Sequence, residues 1–186
     1  HEGSWAEVVS WFEYEKALHN GVDPRKIIFN GPHKTESELK KSISNGSLIH
    51  IDHFDELYLI LQVLKDLQVK AKVAIRVNMD TGIYPHWERF GFNYENGEAW
   101  NAINRIMNSD QMELVGIHTH IGTYIMNTSA YALATSKLAD LAVRTDRKYN
   151  HKVKYLDMGG GFATSNTLKG AYLPGSDTCP SFDDYA

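Results

Sequence analysis

A chain of 186 residues, 42% of them hydrophobic, can bury one ordinary core, and its formal net charge of −4 falls evenly, without the basic stripe that nucleic acid or an anionic membrane would require. No run approaches the roughly 18 apolar residues of a membrane span, and His1-Glu2-Gly3-Ser4 lacks the basic and apolar regions of a signal peptide. The one cysteine, Cys179, excludes an internal disulfide framework and a multi-cysteine zinc site; between Thr178 and Pro180 it reads as a packing residue in a loop. The expectation is a cytoplasmic, globular protein, one domain over 1–186, with a small molecule as partner.

Short β-rich runs alternate with longer stretches of helical period. Strands are predicted at 6–9, 26–30, 48–52, 73–78, 114–119 and 153–158, with helices between them at 36–45, 55–68 and 129–149. In the second helix, Leu57, Ile60, Leu61 and Leu64 form an i, i+3, i+4, i+7 stripe; in the third, Leu138, Leu141 and Ala142 share a face. Asn20-Gly21 and Asn45-Gly46 supply residues that tolerate a left-handed helix stop. Strands joined by single helices run parallel, so the class is α/β. Periodicity does not separate an open doubly wound sheet from part of a (β/α)8 barrel. In either, ligands bind where strands end, and those ends are polar: Ser10, Asn30-Gly31, Asp52-His53, Asn78, His120 to Thr123, and Gly159 to Gly161.

Three of these places carry chemistry. Gly159, Gly160 and Gly161 follow a strand and leave backbone N–H groups approachable by an anion; without GxGxxG or GxxxxGK[ST], a phosphate smaller than a dinucleotide fits them, and a plain tight turn is the other reading. His118 and His120 alternate onto one face at the end of the preceding strand. They could begin the ligand set of a metal-dependent hydrolase, or His120 could lie against a flat cofactor while Gly122 and Thr123 offer donors to its phosphate; a core histidine is the plain reading of His118. Arg76 interrupts an apolar strand and needs an acceptor-rich partner, either a cofactor or an acid such as Glu7 or Asp157.

In order along the chain, Phe29-Asn30-Gly31-Pro32-His33-Lys34-Thr35, Arg76-Val77-Asn78, Arg89-Phe90-Gly91, His118-Thr119-His120-Ile121-Gly122-Thr123 and Leu156-Asp157-Met158-Gly159-Gly160-Gly161-Phe162 resemble the motifs of pyridoxal-phosphate-dependent amino-acid decarboxylases of the alanine racemase-like fold type, the diaminopimelate and ornithine decarboxylases. The resemblance implies a (β/α)8 barrel followed by a β-rich domain, pyridoxal 5'-phosphate in the barrel mouth, an amino-acid substrate, and active sites completed across a homodimer. It implies that His120 stacks on the cofactor ring and acts in catalysis, that Thr123 stands in for a serine that assists the cofactor, that Gly122 lies beside it, that Gly159, Gly160 and Gly161 bind the phosphate, and that Arg76 lies close to the cofactor.

The departures from the family pattern are as informative. The family's Schiff-base lysine lies on a first strand in a Tyr-Ala-x-Lys context, and its Glu-Pro-Gly-Arg motif on an eighth; neither is matched here, and Lys34 matches a different position. The expectation is therefore an incomplete barrel of about six βα units, inactive alone, with the last residues resembling the helix before the eighth strand. A diaminopimelate-type substrate is favoured over ornithine only by analogy. The rivals are a non-catalytic binding protein of the same descent and a metal hydrolase using His118 and His120.

Overall fold

The computed structural model describes residues 3–165 and 179–186. In chain order its elements are β1 (Ala6–Val8), α1 (Trp11–His19), β2 (Ile27–Phe29), α2 (Glu36–Ser44), β3 (Leu48–Ile51), α3 (Phe54–Leu67), β4 (Ala71–Asn78), β5 (Phe92–Asn93), α4 (Glu98–Met107), β6 (Met112–Thr119), α5 (Ser129–Tyr149), β7 (Tyr155–Asp157) and α6 (Phe182–Tyr185). The helix ends follow the chemistry of termini. Thr35 caps α2 through a reciprocal box with Glu38, and after α1 and α2 the asparagine of each Asn-Gly pair keeps a right-handed φ while Gly21 and Gly46 take the left-handed one.

All strand pairs are parallel, and the sheet order is β1-β2-β3-β4-β6-β7, the order of the chain itself. This settles what periodicity left open. A doubly wound sheet reverses direction at a switch point, whereas a barrel adds each strand to the same side; the chain forms a curled α/β half-barrel of six parallel strands, an incomplete TIM-type barrel. The short β5 was not anticipated. It pairs Phe92 with Val77, where β6 already holds the other side of β4, and so continues the β3 edge past the end of β3.

Alternation divides each strand between two environments. Phe29, Ile49, Ile51, Val73, Ile75, Val77 and Ile117 are at most 1% exposed and face the helices, where Leu39, Leu57, Ile60, Leu64, Ile103 and Leu138 are fully buried. Each such side chain contributes about 1.5–3 kcal/mol by leaving water. On α3, Leu57, Ile60 and Leu64 of the expected stripe are in the core, Leu61 is only partly buried, and Val63 joins them.

The opposite parity points into the half-barrel, and pairing register aligns it. Arg76 lies opposite His118, His118 opposite Asp157, and Gly116 opposite Tyr155. Between Val73 and Ala74 the β4–β6 register shifts by one residue, so that Val115 is an extra residue, a bulge. Gly116 is needed for a close approach: a Cβ there would meet the Tyr155 ring at 2.1 Å.

Candidate active site

The inward row at the strand tips forms a polar floor. His118, 1% exposed, has Nε2 3.1 Å from Asn30 Nδ2 and Nδ1 3.1 Å from Asp157 Oδ2. The carboxylate lies too far off the N–H direction for a well-formed hydrogen bond, and the contact is chiefly electrostatic. Asn30 Nδ2 also donates to Glu7 at 2.7 Å, and Asp157 Oδ1 accepts the Gly159 N–H at 2.8 Å. Burial pushes the Asp157 carboxyl up, but His118 and the Gly159 amide outweigh it and hold it at about 2. Behind them, the His50 ring sits 5.0 Å from that of His118 with Nε2 3.2 Å from the Tyr155 hydroxyl; burial, then His118, pushes its pKa well below the usual histidine value.

Arg76 is paired with neither acid proposed from the sequence. Its guanidinium lies 3.8 Å from Asp52 and over the Phe90 ring at 4.9 Å. Asp52 follows β3, the strand beside β4, so adjacency in the sheet decides the partner, while Glu7 acts only at longer range and Asp157 is held by His118. Burial lowers the Arg76 pKa, opposed by Asp52.

His120 lies just past β6 and is half-buried, its ring edge-on to Trp87 at 6.3 Å. Burial, then the charge of Arg76, lowers its pKa, so the ring is neutral near pH 7. It adjoins the glycine loop: a Cβ on Gly161 would stand 3.5 Å from His120 Cε1 and 2.0 Å from the Gly122 carbonyl oxygen, at φ +89°. No side chain fits there. Over Gly160 the space is open, with nothing within 4 Å of a Cβ position. The Gly159 N–H is already committed to Asp157, which leaves Gly160 and Gly161 as the amides for which no acceptor is found among the described residues. Thr123 is exposed at the rim, one residue beyond the Gly122–Gly161 contact.

The structure thus brings His120, Gly122 and the three glycines together, with Arg76 one strand away, and gives His118 and His120 different partners. Among the described residues, the ligand atoms that could share a cation are those of His50, His118 and Asp157, within 4.8 Å of one another, and His120 is not among them. Lys34 is fully buried, donating to Glu56 at 2.5 Å and to the carbonyls of Gly31 and His50, and is not available as a reactive amine. Trp87 and His50 were missed from sequence. His50 shares the inward parity of Leu48 and could have been found; Trp87 sits in the β4–β5 loop, where no period applies.

These residues fit pyridoxal phosphate: a neutral aromatic ring beside a loop too crowded for any Cβ at Gly161, with open space and uncommitted amides next to it. Comparison with known proteins agrees. The sequence profile described as pyridoxal-dependent decarboxylase, pyridoxal binding domain, matches residues 1–174. The diaminopimelate decarboxylase of Bacillus methanolicus is 31% identical over 184 residues, 94% of this chain and 43% of that protein; the one from Aquifex aeolicus is 32% identical over 166 residues, 86% and 39%. The crystal structure of the M. jannaschii diaminopimelate decarboxylase in complex with L-lysine is 28% identical and superposes with a TM-score of 0.79 over 93% of this chain and 42% of its own. The chain spans about 40% of the length of these relatives. It belongs to the pyridoxal-dependent decarboxylase family, its residues 1–174 matching the profile of that family's pyridoxal-binding domain.

Proposed function

We propose that this chain is the cofactor-binding part of a pyridoxal-phosphate-dependent decarboxylase acting on a basic or diamino amino acid, diaminopimelate foremost. The observation that carries the reading is the contact between His120 and the Gly122–Gly161 crossing, where a neutral ring and a bare peptide loop meet at the mouth of the half-barrel. The substrate class rests on the relatives named diaminopimelate decarboxylase and on the L-lysine bound in one of their structures.

In this reading His120 restrains the cofactor ring by stacking, and its low basicity keeps a second positive charge away from Arg76. The Gly160 and Gly161 amides take the phosphate, with Gly122 giving room and Thr123 offering a hydroxyl from the rim. Arg76, steadied by Asp52 and Phe90, keeps the site positive toward an anionic ligand. When bound, pyridoxal phosphate supplies the electron sink for the pair left behind as carbon dioxide departs. The whole protein is a homodimer of the cytosol in this proposal; among the described residues no helix is long and apolar enough to cross a membrane.

Titration of the intact protein with pyridoxal phosphate, followed by absorbance, tests the proposal. Uptake is expected in the wild type, with a loss of about tenfold or more in His120→Ala, and borohydride reduction is expected to leave no pyridoxyl group on Lys34. An intact protein that neither acquires the cofactor's colour nor depends on it for activity would refute the reading.

A further inference from the structure

The mouth of the site is accounted for, but the buried polar floor beneath it is not. From the edge inward, each donor along it faces an acceptor. Asn30 has two amide hydrogens, one directed to Glu7 at 2.7 Å and the other to His118 Nε2 at 3.1 Å. A nitrogen that accepts carries no proton, so the His118 proton sits on Nδ1, facing Asp157 Oδ2 at 3.1 Å. The other carboxylate oxygen takes the N–H of Gly159, the first residue of the glycine loop, whose φ is +65° and where a Cβ would stand 3.3 Å from both His118 Cε1 and His120 Cβ. Four strands, β1, β2, β6 and β7, are thereby tied to the start of one loop.

We propose that His118 and Asp157 are positioning residues for the anion cradle: Asp157 holds the Gly159 amide and so the turn that presents Gly160 and Gly161, and His118, fixed as its Nδ1–H tautomer by Asn30, holds Asp157. The inference rests on the function proposed above and deepens it. It also decides against a divalent cation held by His50, His118 and Asp157. A metal on His118 Nδ1 requires the proton on Nε2, where it would meet the Asn30 Nδ2 donor, and turning the amide over would set its oxygen against the Glu7 carboxylate.

Two measurements test it. Long-range 1H–15N spectra of the full chain distinguish a protonated from a bare imidazole nitrogen, and His118 is expected to carry its proton on Nδ1. A proton found on Nε2, or stoichiometric Co2+ or Zn2+ uptake that shifts the His50 and His118 signals, overturns the proposal. The second compares affinity for pyridoxal phosphate with affinity for pyridoxal, which has no phosphate. In Asp157→Asn the new amide nitrogen faces the His118 donor, so the phosphate-dependent preference should fall about tenfold while pyridoxal binds within about twofold of wild type. His118→Gln, which can accept from Asn30 and present an N–H toward Asp157, should retain the preference, and His118→Leu should lose it. A wild-type chain with no preference for the phosphorylated form sinks the proposed function together with the cradle role; a preference undiminished in Asp157→Asn sinks the positioning role alone.

Discussion

Neighbouring glycines in one loop make different demands. At Gly161 a methyl group would collide with the Gly122 carbonyl at 2.0 Å in a left-handed backbone, so Gly161→Ala should distort the loop, cost about 1–3 kcal/mol, and lose cofactor uptake. At Gly160 the same methyl meets open space, so Gly160→Ala should unfold within about 0.5 kcal/mol of wild type yet bind pyridoxal phosphate more weakly, by intruding where the ligand lies. Denaturant melts beside cofactor titrations separate the two outcomes. His50 gives a pH dependence. Its folded pKa is lowered, chiefly by burial, so the unfolded chain binds the extra proton first; its contribution is intact above about pH 6.5 and is lost as pH falls, with a slope of up to about 1.4 kcal/mol per unit. His50→Asn should flatten that part of the stability profile. Asp157 adds a second acid limb, present above about pH 4 and lost toward its folded value of about 2.

Among the elements, α2 and α3 are locked to the strand tips by the Lys34–Glu56 pair, buried on both sides and completed by the Gly31 and His50 carbonyls and by the Asp52 N–H. Lys34→Met strands a carboxyl in the core and should cost about 3–5 kcal/mol, whereas Lys34→Met with Glu56→Leu should recover most of that loss in a denaturant series. The elements themselves were largely legible. Strand runs at 73–78 and 114–119 and the helix at 129–149 stood out because an apolar period holds over at least six residues. β7 proved to be Tyr155–Asp157 only, and the two-residue β5 is too short to show any period. The ending at Ser181 to Tyr185 does form the expected helix, with Ser181 as its cap, and Cys179 sits in the loop before it, its thiol donating to the Thr164 carbonyl as a packing residue would.

For the whole molecule, the sequence named most members of the site but not its wiring. Alternation placed His118 and His120 on one face of a strand, yet only the cross-strand register shows that Arg76, His118 and Asp157 stand in one row and that Arg76 answers to Asp52. Register depends on which strands are neighbours, and a single chain read along its length does not state that. The same sheet order leaves β1 and β7 paired on one side only among the described residues. Unpaired strand edges template further pairing, so the 186-residue chain by itself should sediment above monomer mass, and a monodisperse monomer would contradict this.

The extra residue in β6 shows how little separates this site from none. Because inward and outward positions alternate, the bulge that leaves Val115 out of the ladder decides which half of the following strand sees the ligand and which half sees the helices. Drawn into regular register opposite Ala74, Val115 would rotate everything downstream by one step in parity: the imidazoles would turn into the hydrocarbon layer, Ile117 and Thr119 would line the mouth, and a chain of identical composition would have nothing left with which to grip a coenzyme.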